Sequence, residues 1–103
     1  MKVVITSKSN SPESKMDLRF GRAPWFAVYN TESGDLDFVA NEGAAENSGA
    51  GPKVAQLIAN LGAVKVFSGD FGPKAKDALQ SFGIEMVVLK DEPMIQTLIQ
   101  QIK

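Results

Sequence analysis

The sequence predicts an α/β protein built on one five-stranded mixed sheet, and three observations carry that prediction. In its second half, short β-branched runs alternate with stripes of helical spacing. In its first half, three such runs are joined by a long polar loop and a tight turn. The 103 residues are 44% hydrophobic and 22% charged, the balance of an ordinary globular chain. A chain of this length buries one modest core, so residues 1–103 read as a single domain.

Residues 2–6, KVVIT, are short, apolar and β-branched, and polar Ser-Lys-Ser-Asn follows, which marks a buried first strand. Residues 7–24 keep no sustained period and are rich in Ser, Lys, Pro and Asp. Loops of that length are uncommon in compact domains and are often functional. Residues 26–29 form strand 2, 30–35 a hairpin connection and 36–40 strand 3. Residues 41–51, NEGAAENSGAG, form a loop of small residues. A helix follows over about 51–61, where Val54, Leu57, Ile58 and Leu61 make a stripe between an early Pro52 and a terminating Gly62. Strand 4 spans 64–67, and SGDFG turns the chain. The second helix runs over about 73–82, with Ala75, Ala78, Leu79 and Phe82 on one face and Gly83 as its stop. Strand 5 covers 84–89, and a last helix over about 93–102 turns Ile95, Leu98, Ile99 and Ile102 inward.

The order is βββαβαβα. The β-α-β-α half demands parallel strands joined by right-handed crossovers, and the hairpin makes strand 2 antiparallel to strands 1 and 3. The expected sheet order is 3-2-1-4-5 with helices on both faces, a ribonuclease H-like architecture. If strand 1 runs upward, the loops after strands 1, 3, 4 and 5 and the start of strand 2 all gather at the top. Ligands of open α/β sheets bind outside the carboxyl ends of the strands.

The residues gathered there suit an anion. Ser48, Gly49 and Gly51 lead into the first helix, and Gly69, Asp70 and Gly72 lead into the second. Glycines permit close backbone approach, and the free N–H groups and dipole of a helix start favour negative charge. Neither segment is a P-loop, since the spacing differs and no Gly-Lys-Ser/Thr occurs. The plainer reading is two ordinary helix starts. Arg22 suits a bidentate contact with a carboxylate or phosphate; its alternative is a structural pair with Asp17, Asp70 or a carbonyl. Arg19 by itself reads as a solvated loop charge, and Gly21 as the residue that lets the chain turn into strand 2. Phe26 points to the core, while Trp25 either lines the rim or covers one sheet face.

Composition narrows the chemistry. The chain has no cysteine and no histidine. That excludes disulfides, thiolate chemistry and cysteine-held clusters, and it removes the usual general base and commonest transition-metal ligand. A net charge of −1 provides no field to gather nucleic acid. No apolar run approaches the ~20 residues of a membrane span, and the N-terminal apolar run is too short for a signal peptide, so the expected compartment is the cytoplasm. Nucleases of this architecture hold two metals on acidic residues, but strand 1 contains no acid, and Asp17, Asp70 and Asp91 make no motif.

At FGRAPWF, followed by the glycine segment and SGDFGPKA, the chain resembles the dinitrogenase iron–molybdenum cofactor biosynthesis family, small domains similar to NifX and to the C-terminal part of NifB. The correspondence covers nearly the whole chain, from KVVIT to the Gly69-Asp70-Phe71-Gly72-Pro73 run with Ala75 and Leu79 behind it. The resemblance implies a ribonuclease H-like fold without nuclease activity, and a role in binding or carrying an iron–molybdenum cofactor or its precursor. Family members commonly place histidine directly before Phe-Gly-Arg, where this chain has Arg19. The expectation is therefore a non-enzymatic carrier of an anionic iron–molybdenum or iron–sulfur-type cluster, or of a small anion. Arg19, Arg22 and backbone N–H groups would hold it without histidine or cysteine ligands. The alternatives are a regulatory or scaffold module whose top edge binds a partner protein, and a carboxylate-dependent hydrolase.

Overall fold

A computed structural model describes residues 1–44 and 50–102. The elements are β1 (Lys2–Ser7), β2 (Trp25–Asn30), β3 (Leu36–Ala40), α1 (Ala50–Asn60), β4 (Ala63–Ser68), α2 (Pro73–Ser81), β5 (Glu85–Val88) and α3 (Ile95–Ile102). They form one sheet in the order β3-β2-β1-β4-β5. Strand β2 is antiparallel to β1 and β3, and β4 is parallel to β1 and β5. This is the order that the hairpin and the two crossovers require.

Strand β1 is central, so both of its faces are buried and its sequence is continuously apolar rather than alternating. On one face Val4, Phe26, Val28 and Val66 pack under α1 and α2, through Val54, Ala55, Ile58, Ala75 and Leu79. On the other, Val3, Ile5, Ala27, Tyr29 and Phe67 pack under α3, through Ile95, Leu98 and Ile99. No helix among the described residues is long and apolar enough to cross a membrane.

Three local details depart from the sequence reading. The stripe of α1 is rotated: Ala55 is fully buried, while Leu57 and Leu61 are only half-buried. Phe82 does not face the core but is 43% exposed. It is the C-cap of α2, and the chain then reverses through Gly83 at φ 72°, in the left-handed region. Gly83 N–H donates to the Gln80 carbonyl and Ile84 N–H to the Leu79 carbonyl, a Schellman closure in which Ile84 takes the buried place. Helix α3 starts at Ile95, two residues later than expected. Pro93 and Met94 are held extended instead: the Met16 N–H donates to the Pro93 carbonyl at 2.8 Å, and Met94 bridges to Lys15.

The long loop of residues 7–24 is thereby ordered. Its carbonyls at Ser14 and Pro12 accept the Ile95 and Gln96 N–H groups at 2.8 and 2.9 Å, satisfying donors that the first turn of α3 leaves over. Met16, fully buried, fills the core beneath α3.

Candidate functional site

The carboxyl ends of β1 and β4 lie side by side and end on two buried hydroxyls, Thr6 and Ser68, whose oxygens are 2.7 Å apart. Between them the loop docks Asp17. Its N–H donates to the Thr6 carbonyl at 2.8 Å, and its own carbonyl accepts the Thr6 hydroxyl at 2.6 Å and the Ser68 hydroxyl at 3.4 Å. The Asp17 carboxylate is buried and accepts three hydrogen bonds from Arg19. The Arg19 N–H and Nε reach Oδ1 at 2.9 and 3.1 Å, and a terminal guanidinium nitrogen reaches Oδ2 at 2.9 Å. Burial pushes the Asp17 pKa up, but hydrogen bonds from the Arg19 side chain and backbone outweigh it and hold the carboxyl below its usual range. The guanidinium is 67% exposed, yet its charge is matched by a carboxylate that is 2% exposed.

From Asp17 the chain passes alongside Asp70. The Asp70 N–H donates to the Leu18 carbonyl at 2.6 Å, and the Phe20 N–H donates to the Asp70 carbonyl at 3.3 Å. Gly69 makes this close approach possible, because a Cβ there would lie 2.7 to 2.8 Å from Leu18 atoms. The Arg19 carbonyl then accepts the N–H groups of Arg22 and Ala23, closing a turn over Phe20 and Gly21. Gly21 is not among the glycines with positive φ, so main-chain hydrogen bonds, rather than glycine's wider φ range, make that turn. The Phe20 and Phe71 rings, both buried, meet with centroids 5.0 Å apart. Buried Asn41 ties the exit of β3 to the same segment, donating to the Ala23 carbonyl at 2.8 Å. The Arg22 guanidinium donates to the Ala44 carbonyl at 3.0 Å.

These contacts shape a cleft of about 340 Å³ between the first turns of α1 and α2. One wall is Phe20 and Gly21; the others are Gly51 and Pro52 of α1, and Gly72, Pro73, Lys74 and Ala75 of α2. Gly51 lets the two helices meet closely, since a Cβ there would stand 3.0 Å from Ala75 Cβ. Gly72 caps α2 without a side-chain hydrogen bond, and neither helix has an acid in its first turn. The positive ends of two helix dipoles therefore border one cleft, with Lys74 beside them and mostly carbon on the walls.

Of the residues singled out from sequence, Gly21, Gly51 and Gly72 line this cleft. Arg19, Arg22, Gly69 and Asp70 are not among its lining residues. Arg19 is engaged by Asp17, Arg22 by the Ala44 carbonyl, Gly69 by Leu18, and Asp70 by the main chain of Leu18 and Phe20. Ser48 and Gly49 lie outside the described residues. Sequence reasoning placed Pro52, Pro73 and Lys74 inside the two candidate anion-binding segments without singling them out, and it missed the Phe20–Phe71 pair and the Thr6–Ser68 dock for Asp17. One signal was present: Gly-Pro-Lys opens both helices, at residues 51–53 and 72–74.

The donor set decides what the cleft can hold. The chain has no histidine or cysteine, and among the described residues no three acidic side chains stand close enough to hold a metal ion. N–H groups and a lysine remain, which bind an anion by charge and hydrogen bonds rather than through a bond to metal.

The sequence matches the family described as dinitrogenase iron-molybdenum cofactor over residues 1–103. Among solved structures it is similar to the apo form of the orange protein from Desulfovibrio gigas, with a TM-score of 0.92 and 29% identity, covering 98% of this chain and 85% of that one. It is also similar to a putative NifB protein from Thermotoga, of the DUF35 family, solved by NMR, with a TM-score of 0.84 and 30% identity, again covering 98% and 85%. An uncharacterized protein of Methanocaldococcus jannaschii is 27% identical over 89 residues, which is 84% of this chain and 72% of that protein.

Proposed function

The chain belongs to the dinitrogenase iron-molybdenum cofactor family, and from that premise we propose that it is a non-enzymatic carrier of an anionic metallocluster. The cargo is the iron–molybdenum cofactor or a precursor of it, held where α1 and α2 begin. The observation that carries this reading is the convergence of two acid-free helix starts on one cleft, each with Gly-Pro-Lys at its beginning, that of α2 carrying no side-chain cap. Fixed N–H dipoles and Lys74 favour negative charge there, and the carbon walls admit a large, weakly hydrated anion. A relative at 29% identity solved as an apo form supports a ligand-binding role. We read the architecture as ribonuclease H-like but without nuclease chemistry, since β1 carries no acid.

The test is anaerobic gel filtration after incubation with isolated iron–molybdenum cofactor. Molybdenum should elute with the protein at low salt and be lost at high salt, because the screening length falls from ~10 Å at 0.1 M to ~3 Å at 1 M. Lys74→Glu should reduce retention at low salt. Absence of co-elution at every salt concentration would refute the carrier reading, and a stable metal-free complex with another protein would point to a scaffold role.

A further inference from the structure

We propose that Asp17 is a positioning residue for cargo binding, which fixes both the Phe20–Gly21 wall of the cleft and the start of α2 without touching the cargo. For its link to cargo the inference rests on the carrier reading; for the positioning it rests on geometry.

Every polar atom of Asp17 is engaged. Its N–H and carbonyl tie it to the ends of two parallel strands, through Thr6 and Ser68. Both carboxylate oxygens are taken up by Arg19, two residues ahead. Only Leu18 and Arg19 then separate this anchor from Phe20 in the cleft wall. The segment just beyond Asp17 grips Asp70 on both main-chain groups, through the Leu18 carbonyl and the Phe20 N–H. Asp70 in turn immediately precedes Phe71, whose ring meets Phe20, and Gly72, the cap of α2. Two walls of the cleft are thus registered to one anchored residue.

A ligand role for the carboxylate is ruled out by its placement: it is buried, negative and already matched by Arg19. Its identity still matters. Asparagine in its place keeps an oxygen for the Arg19 N–H but offers only one acceptor oxygen and turns an NH₂ group toward the guanidinium. Alanine removes all three bonds. The two replacements form a graded series.

The experiment compares the full chain with Asp17→Asn and Asp17→Ala, at a temperature where all three are fully folded. Amide hydrogen exchange is measured without cargo, and retention of iron–molybdenum cofactor is measured anaerobically. In Asp17→Ala the Phe20 and Asp70 amides should exchange at least ~10-fold faster while amides of β1 and β4 stay within ~3-fold, the signature of local opening. Retention should fall in the order of unmodified protein, Asn and Ala, with the loss for Ala at least ~10-fold, the factor set by ~1.4 kcal/mol of displaced binding geometry. Unchanged exchange at Phe20 and Asp70 would overturn the positioning role. Faster exchange with undiminished retention would overturn its link to cargo. If the unmodified protein retains no cofactor, the carrier reading falls and takes that link with it, while exchange still decides the positioning. Should Asp17→Ala fail to fold, Asp17→Asn, which keeps the Oδ1 acceptor and loses the bond to Oδ2, decides both questions.

Discussion

Among the described glycines, Gly69 is the one where an added methyl group would meet its neighbours most closely. A methyl group there would lie 2.7 Å from Leu18 Cδ2 and 2.8 Å from Leu18 Cβ and from the Leu18 carbonyl oxygen. Carbon atoms rest at about 3.5–4.0 Å, so the loop must move by ~1 Å. The Leu18 side chain can yield, but the carbonyl cannot easily do so, because it accepts the Asp70 N–H at 2.6 Å. Overpacking of this kind costs roughly 1–3 kcal/mol, and opening the rung to Asp70 adds roughly 0.5–1.5 kcal/mol. Alanine returns about 0.4–1 kcal/mol by restricting the unfolded chain. The net expectation is a loss of ~0.5–4 kcal/mol, or at least ~2 °C in Tm for a chain of this size. Urea denaturation with an unchanged m-value measures it. Gly72→Ala is the control, since nothing stands within 4 Å of a Cβ there; its cost should stay within ~1 kcal/mol, the preference of an N-cap for glycine over alanine. A Gly69→Ala loss below ~0.5 kcal/mol, the scatter of ordinary surface substitutions, would refute the close-packing argument.

Acidification should reveal the Asp17–Arg19 pair. The folded pKa of Asp17 is depressed, and its unfolded value is near ~3.9. Its contribution is therefore fully present above the unfolded pKa and is lost as pH falls through the folded one. The stability gap between the protein and Asp17→Asn should be constant from about pH 5 upward and shrink below about pH 4; urea midpoints at pH 7 and pH 3 check this, and a gap unchanged by acid contradicts the pairing. Gly51→Ala places a methyl group 3.0 Å from Ala75 Cβ. It should part the starts of α1 and α2 and reduce cofactor retention while changing stability by no more than ~1 kcal/mol, since alanine's helix propensity offsets the crowding. Retention equal to that of the unmodified protein would show that the spacing of the two helix starts does not matter.

The sheet order was legible in the sequence because local signals force it. A tight turn around Asn30 and Gly34 makes a hairpin, and the periods around α1 and α2 make crossovers, so few topologies remain. Details that depend on distant partners were not legible. The start of α3 is set by carbonyls of residues 12 and 14, which no window around Pro93 contains. Phe82 matches the stripe of α2, but Ile84 supplants it through the Schellman turn. The two glycine segments could be placed at one edge from topology alone. Which glycines border the cleft and which pack against Leu18 depends on side chains brought together by folding. The Thr6–Asp17–Ser68 dock joins three separate stretches of chain and leaves no local pattern.

The clasp between the loop and α3 bears on when the protein becomes able to work. The carbonyls of Pro12 and Ser14 and the N–H of Met16 are met only by residues 93–96. During synthesis residues 12–16 are made well before residues 93–96, which secure them. Until then the stretch leading to Asp17 lacks part of its support. A nascent chain can form its central strands and still lack this clasp. Removing residues 93–96 would therefore loosen the loop that leads to the Phe20–Gly21 wall of the cleft.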